Sequence, residues 1–546
     1  MFAPVERLVL RVQAAVDRLA RGLRAGPAGR TPRRRLLIVQ IDGLPGAVLA
    51  QARAEGRVPF LDRLLRGHDY RLAPMTVGMP TSTPAFQLAA MYGVRPDIPG
   101  FHYHDKRRKQ DVHFPRAGHA AGVQKRQAGD RLGILSGGSV YGCIFTGGAD
   151  NDTLSMARLK QPTGPGLARF GSAFVVLGWV IAKGTVLTLQ EVARTLVELV
   201  RHPRDRRKVW EWASIRIGFS VWIRELFTLA VSRDLYAGVP AIYVNYLDYD
   251  VAAHAFGPRS ARALRSLNRV DRAIGQIWRV VRRLPEHQYD LFILSDHGQI
   301  ACRQYGQLSG GIPLERALFA EGVVPAQSRP DGRVSRPAAL GHGFRAYGLG
   351  HRRVLGRILR PLEGRAAERE PDPGAETPEV CERNGVRIIS AGPNAFLYVT
   401  DTDVPLAADE VDRRFPGLAQ EISRHRGVGF VLARSAEGPI CWRRGKHIAL
   451  SQDPGPFGER ADRDIVLRGL ADLMAMPSAG DLVIYGTGAA EGDVSFIAEA
   501  GAHAGPAEDE LHTFIVHPAG VRLPRIEHPV KLYEVFIRYQ AAGRLR

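Results

Sequence analysis

The sequence predicts an α/β fold: a doubly wound, mostly parallel sheet flanked by helices, with a helical insertion and a small α+β cap. Three observations predict it. First, three short apolar runs end in carboxylates: Leu36-Leu37-Ile38-Val39-Gln40-Ile41 leads to Asp42 and Gly43, Ala241 to Tyr246 leads to Asp248 and Asp250, and Tyr289 to Ser295 leads to Asp296 and His297. Continuous apolar runs of this length suit strands buried on both faces, and open α/β sheets carry their sites at the carboxyl ends of such strands. Second, an arginine-rich helical pattern from about Ser260 to Arg283 separates the last two runs, giving strand, helix, strand. Third, 546 residues exceed what one compact core holds, so one large domain with insertions, or two to three domains, is expected.

Taken in order, residues 1–35 offer Val5, Leu8, Val9, Val12, Val16 and Leu19 at helical spacing with arginines between them. This is a basic amphipathic helix, suited either to a membrane surface or to packing on its own domain. No cleavable signal is visible in it, so the expected location is cytoplasmic or peripheral at the inner membrane face, with export left open. Residues 36–163 read as the first part of the catalytic core. Residues 164–238 read as a helical, membrane-interfacial insertion: Phe170 to Leu189 carries no charge but Lys183, while Trp210 to Ser232 carries Glu211, Arg216, Arg224 and Glu225. A single crossing would set Thr83 and Asp250 on opposite sides of a bilayer, so interfacial helices are expected rather than a span. Residues 239–310 continue the core, 311–480 hold the cap, and 481–546 return to the core, with the sheet expected to resume at Asp481 to Tyr485. Within the cap, Asn394 to Val399, a helical stretch from Ala407 to His425, and Gly429 to Ala433 have a βαβ-like order.

Charge narrows the partners. The chain has 75 Lys and Arg against 55 Asp and Glu, a net +20, which points to an anionic substrate or surface. No nucleic-acid-binding module is present, so specific nucleic-acid binding is not expected. Cys143, Cys302, Cys381 and Cys441 lie far apart without CxxC spacing, which argues against a zinc ribbon or a disulfide framework.

The candidate chemistry begins at Met79-Pro80-Thr81-Ser82-Thr83-Pro84. Proline is favoured in the first helical turn, so Thr83 is expected at the helix N-cap, where free backbone N–H groups gather and anions bind. Asp250 and His254, four apart, share one face of a helical turn. Asp296-His297, Asp42, and His503 in Gly501-Ala502-His503-Ala504-Gly505 add carboxylates and imidazoles of the type that zinc or manganese prefers. Several such ligands at strand ends, beside a hydroxyl, are what two-metal phosphoryl transfer requires.

The order Asp42, Thr83, Asp250…His254, Asp296-His297, His503 resembles the alkaline phosphatase superfamily, and within it the nucleotide pyrophosphatase/phosphodiesterase branch and the bacterial proteins grouped with it. Its motifs Asp-x-x-x-His-x-x-Gly-Pro, from Asp250 to Pro258, and Ser295-Asp296-His297-Gly298 are intact, and the spacing from Thr83 to Gly93 agrees. The resemblance implies two divalent ions, zinc or alternatively manganese. One would be held by Asp250, His254 and His503, the other by Asp42, Asp296, His297 and the Thr83 oxygen. It further implies a threonine nucleophile, a phosphothreonine intermediate and a phosphate-ester substrate. Diesterase relatives carry an asparagine soon after the nucleophile that binds a phosphate oxygen; here Ile98-Pro99-Gly100-Phe101-His102-Tyr103-His104 occupies that stretch, and His102, His104 or Lys106 is expected in its role. Ala504 stands where the family commonly has glycine, with His447 the fallback for His503. The expected function is a metal-dependent phosphodiesterase or phosphatase. A phosphonate or sulfate ester hydrolase, a lipid headgroup phosphotransferase and a non-catalytic membrane-binding scaffold are the alternatives. Substrate and oligomeric state are not legible.

Overall fold

The computed structural model describes residues 34–114, 116–154, 222–324 and 380–541. Its first sheet has seven strands: β1 (Arg35–Ile41), β2 (Tyr70–Thr76), β3 (Ser139–Tyr141), β4 (Asn151–Leu154), β5 (Ala241–Tyr246), β6 (Tyr289–Leu294) and β7 (His512–Pro518), in the spatial order β2-β7-β6-β1-β5-β3-β4. β1 lies between β5 and β6 and pairs with both in parallel, and only β7 runs against the rest. The doubly wound, mostly parallel sheet is as expected.

Side-chain alternation along β1 shows why the sheet is covered twice. Leu36 and Ile38 enter the core that contains Phe86 and Leu88 of helix α1 (Thr83–Tyr92). Leu37, Val39 and Ile41 enter the opposite core with Leu264, Leu267 and Ile274. Those last three belong to α3 (Ala261–Arg282), which follows α2 (Asp248–Phe256) and is capped by Ser260, whose hydroxyl accepts from the Ala263 N–H at 3.2 Å. A strand apolar on both faces must be covered on both, and here one helical layer takes each set. The register is what positions the site. Ile41 stands opposite Tyr246 and Gln40 opposite both Asn245 and Leu294, so β1, β5 and β6 release Asp42, the Asp248–Asp250 turn and Asp296 at one edge.

The second sheet departs from expectation. It is seven-stranded and antiparallel throughout, in the order 380–383, 386–390, 394–399, 482–485, 430–433, 440–443, 446–449. Leu482–Tyr485, expected to rejoin the first sheet, is instead the central strand here, between Asn394–Val399 and Phe430–Ala433. The strand-helix-strand order expected in that region is present, with Ala408–Arg414 and Leu418–Ile422 between two mutually parallel strands, but those strands are separated by this antiparallel one. Phe396, Phe430 and Tyr485 pack into the same core as α1, so the second sheet rests on the first.

The basic amphipathic segment up to residue 33, the Phe170 to Leu189 run, Trp210 and Trp212 lie outside the described residues. The tail of the expected interfacial insertion does not: Arg224–Ala237 is a core helix. Its buried Arg224 pairs with Asp248 at 2.7 Å, and Thr228 and Tyr246 share a hydroxyl hydrogen bond at 2.8 Å. Among the described residues no helix is long and apolar enough to cross a membrane.

Candidate active site

Thr83 stands one position later than expected. Ser82 is the N-cap, and Thr83 opens α1 as its first helical residue, followed by Pro84. Its side chain makes no cap bond. Thr83 Oγ1 lies 3.1 Å from His297 Nε2 and 3.4 Å from Asp42 Oδ1, and the residue is only 5 % exposed. The helix ends on Gly93 with φ +66°, where a β-carbon would come within 2.4 Å of the Tyr533 ring, which explains a glycine ten residues after the threonine.

Around that hydroxyl the structure gathers five of the six expected ligand residues into two overlapping groups. Asp42, Asp296 and His297 form one and Asp250, His297 and His503 the other, each with its ligand atoms within 4.8 Å of one another. His297 belongs to both. His254, the sixth, borders the second group, its Nε2 3.5 Å from Asp250 Oδ1. The fallback His447 is not needed: it sits exposed on the edge strand 446–449 against Trp442.

Hydrogen bonds aim each imidazole. His503 Nδ1 is 2.9 Å from the Thr81 carbonyl, which assigns the proton to Nδ1 and frees Nε2. Its ring stacks on that of His297 at 3.7 Å, and burial first, then His297 and His254, hold it well below the usual histidine range, hence neutral. His297 Nδ1 faces the Gly298 carbonyl at 3.1 Å. His254 Nδ1 is 2.8 Å from both Glu499 Oε2 and the Gly501 carbonyl, which leaves Nε2 toward Asp250. Burial pulls the His254 imidazole down, but Asp250 and Glu499 outweigh it and raise it to about 9. Carbonyl and carboxylate partners on the far nitrogen are how metal-binding imidazoles are held in one tautomer.

The carboxylates are under-compensated. Asp42 Oδ2 accepts from Asn245 Nδ2 at 2.5 Å, Asp296 Oδ1 from the Gly43 N–H at 3.3 Å, and Asp250 Oδ1 from Gln299 Nε2. Asp296 Oδ2 is buried with no hydrogen-bond partner. Burial raises the pKa of Asp42 well above the ordinary carboxylate range, and the charges of Asp296 and Asp250 push it further; burial raises that of Asp296 too. Three buried carboxylates with an orphaned oxygen, beside imidazoles each held in one orientation by a partner on the far nitrogen, fit divalent cations, and the oxygen and nitrogen donor set suits zinc or manganese.

Gly43, Asn245, Gln299, Glu499 and Thr81 complete the site and were not singled out in the sequence. Only Gly43 carried a signal, following a strand-end carboxylate: its φ is +69°, and a β-carbon would lie 2.3 Å from Asp250 Oδ1. Glu499, four residues before His503, reaches His254 through tertiary folding alone.

His102, His104 and Lys106 are engaged elsewhere. They lie on or after the hairpin strand His102–Asp105, which pairs with Gln110–His113. The His102 ring packs 4.7 Å from His113, and burial pushes its imidazole down to about 4. His104 Nδ1 is 2.8 Å from Asp111 Oδ1. Lys106 Nζ donates to both Asp481 oxygens at 3.1 and 2.9 Å, both side chains are almost fully buried, and Asp481 also accepts the Val399 and Leu406 N–H groups. These contacts account for His104 and Lys106 without a ligand, whereas His102 Nδ1 is buried with no hydrogen-bond partner. Asp481→Ala is therefore expected to lower unfolding stability by about 3–5 kcal/mol, because it strands a buried ammonium and two N–H groups. Lys106→Met, which leaves both backbone donors on the carboxylate, is expected to lose less, and urea unfolding of the two variants would read the difference.

Residues 36–341 match the family model of type I phosphodiesterase / nucleotide pyrophosphatase, more than half of the 546-residue chain. Among solved structures, the phosphonoacetate hydrolase of Sinorhizobium meliloti 1021, in complex with phosphonoformate, is similar at 15% identity over 94% of this chain and 96% of that one, with a TM-score of 0.40. No curated protein matches the chain.

Proposed function

The chain belongs to the type I phosphodiesterase / nucleotide pyrophosphatase family of the alkaline phosphatase superfamily, a family of phosphoric ester hydrolases, and on that premise we propose that it cleaves a phosphodiester with Thr83 as nucleophile at a site for two divalent cations. The observation that carries this reading is the position of Thr83 Oγ1, within 3.4 Å of Asp42 and 3.1 Å of His297, the residue common to both ligand groups. Asp42, Asp296 and His297 would hold one ion beside Thr83; Asp250, His254 and His503 would hold the other. When bound, two such ions supply Lewis acidity and neutralise charge on the phosphoryl oxygens.

The chain's own residues do the positioning. Asp42 Oδ1 accepts a hydrogen bond from the Thr83 hydroxyl at 3.4 Å. The first turn of α1 presents backbone N–H groups and the positive end of the helix dipole to the phosphoryl oxygens; Pro84, without an N–H, leaves the donors of Thr83 and Ala85. Attack forms the Thr83 Oγ–P bond, breaks the bond to the leaving alcohol, and passes a proton to that alcohol. Water then cleaves the Thr83–phosphoryl bond of this intermediate, which still carries the second alcohol, returns a proton to Thr83 and releases the phosphomonoester.

Chelation is the direct test. Stripping the protein is expected to abolish hydrolysis of bis(p-nitrophenyl) phosphate, and zinc or manganese to restore it, with about two ions per chain by elemental analysis. Full activity in the stripped protein would overturn the reading. A sulfate ester cleaved faster than either phosphate mono- or diester would move the substrate class.

A further inference from the structure

We infer that Thr81 is a positioning residue whose hydroxyl locks the His503 loop to the segment that delivers Thr83, so that one side chain sets where the nucleophile stands relative to the cation held by His503; this rests on the reading of the site given above. Thr81 is 0 % exposed and meets three consecutive residues of that loop. Its Oγ1 accepts from the Ala504 N–H at 3.0 Å and donates to the Gly505 carbonyl at 2.9 Å, while its own carbonyl accepts from His503 Nδ1 at 2.9 Å. A hydroxyl donates and accepts through one atom, which a methyl in its place cannot do.

The backbone shows that the loop is held rather than merely packed. Ala504 has φ +100°, a conformation that a residue with a β-carbon rarely adopts and that costs free energy to keep. Such strain persists only where the surrounding contacts over-determine it. The Tyr485 hydroxyl donates to the Ala504 carbonyl at 3.4 Å, Glu510 accepts from the N–H groups of Gly505 and Ala507 at 2.9 and 2.8 Å, and the Arg460 guanidinium donates to the Pro506 carbonyl at 2.7 Å. These three fasten the loop on its far side; Thr81 fastens it to the nucleophile. Ser82, the next residue, caps α1, its carbonyl accepting from the Phe86 N–H at 2.9 Å, so a displaced Thr81 moves the start of the helix with it. The contacts close a ring: Thr83 Oγ1 lies 3.1 Å from His297 Nε2, the His297 ring stacks on His503 at 3.7 Å, and His503 returns to Thr81. Loosening the clasp therefore releases a ligand imidazole and the attacking hydroxyl together.

The test titrates zinc into the stripped full chain against a competing chelator, with melting temperature and hydrolysis of bis(p-nitrophenyl) phosphate measured on the same proteins. Thr81→Val is expected to weaken one zinc affinity, the one that His503→Ala also lowers, about 10- to 100-fold and to leave the other within about threefold, the range for groups that orient ligands. With zinc saturating, kcat should remain about tenfold down, because the clasp also steadies Thr83. Thr81→Ser keeps the hydroxyl and should bring both quantities back to within about threefold of wild type. A threonine needed only for the fold would instead lower the melting temperature of Thr81→Val and leave both zinc affinities and kcat alone. That result overturns the inference, as does a Thr81→Ser variant as impaired as Thr81→Val. If Thr81→Val fails to fold, Thr81→Val combined with Ala504→Gly carries the comparison against Ala504→Gly alone, because glycine takes φ +100° without strain. A selectively weakened zinc in a chain that hydrolyses no ester would sustain the inference and sink the functional reading; diester hydrolysis with zinc affinities and kcat unchanged in Thr81→Val would do the reverse.

Discussion

Thr83→Ala is expected to lower kcat for diester hydrolysis on the order of 10⁴-fold or more, the scale on which removal of a covalent nucleophile acts. Alanine suits the first turn of a helix, and the Pro84 ring and the Gly93 terminus that define α1 are untouched, so the variant should fold as the wild type does. Asp42 would lose one hydrogen bond and keep the one from Asn245 at 2.5 Å. Thr83→Ser separates the hydroxyl from its rigidity. Threonine is stiff about χ1, and its oxygen is held between His297 and Asp42; serine keeps the oxygen but visits more rotamers, so a loss of about tenfold is expected. Acid quenching during turnover should trap the phosphoryl group, still esterified to the second alcohol, on Thr83 in the wild type and none in Thr83→Ala. Retention of activity within tenfold of wild type in Thr83→Ala would remove Thr83 from the mechanism.

The parts of this molecule that were legible in its sequence are those governed by local rules. β1, β5 and β6 announce themselves because a strand covered on both faces has to be apolar throughout, and their carboxylates stand at the ends because that is where polar groups can emerge. Asp250 and His254 share a face because the helical period puts residues four apart together, and α2 realises that spacing. What was not legible is partnership. Leu482–Tyr485 is as apolar as β1 and reads equally well as a strand of either sheet; only its pairing with Asn394–Val399 and Phe430–Ala433 places it in the second. Asn245, Gln299 and Glu499 reach their ligands across hundreds of residues or through a reversal of the chain, and no local pattern marks them. Lys106 and His104 erred the other way: basic residues near a nucleophile suggest an anion site, whereas the fold supplies them with Asp481 and Asp111.

The metal assignment makes a second large prediction, in which one substitution acts with opposite sign on two forms of the protein. Asp42 is 1 % exposed, and the charges of Asp296 and Asp250 oppose its ionisation. In protein stripped of metal these carboxylates repel one another, so Asp42→Asn should raise the melting temperature, by about 1 °C if the relief is roughly 1 kcal/mol in a chain of this length. The amide oxygen can still accept from Asn245. The sign of the pH dependence follows from the raised pKa. A carboxyl that binds its proton more tightly folded than unfolded contributes stability that is full below the unfolded value, near 3.8, and lost as pH rises toward the folded one. Asp42→Asn has no such loss, so its advantage over stripped wild type should widen as pH increases. With zinc or manganese present the order should invert. Wild type gains stability in proportion to the logarithm of metal concentration over Kd, while the variant, short of one anionic ligand, should bind at least about 100-fold more weakly and gain correspondingly less. Melting curves of both proteins, stripped and loaded, over a range of pH therefore test the site without any assay of turnover. A stripped Asp42→Asn variant that melts below stripped wild type would mean that the fold needs this carboxylate for itself, and the case for a cation beside Thr83 would then rest on the remaining ligands alone.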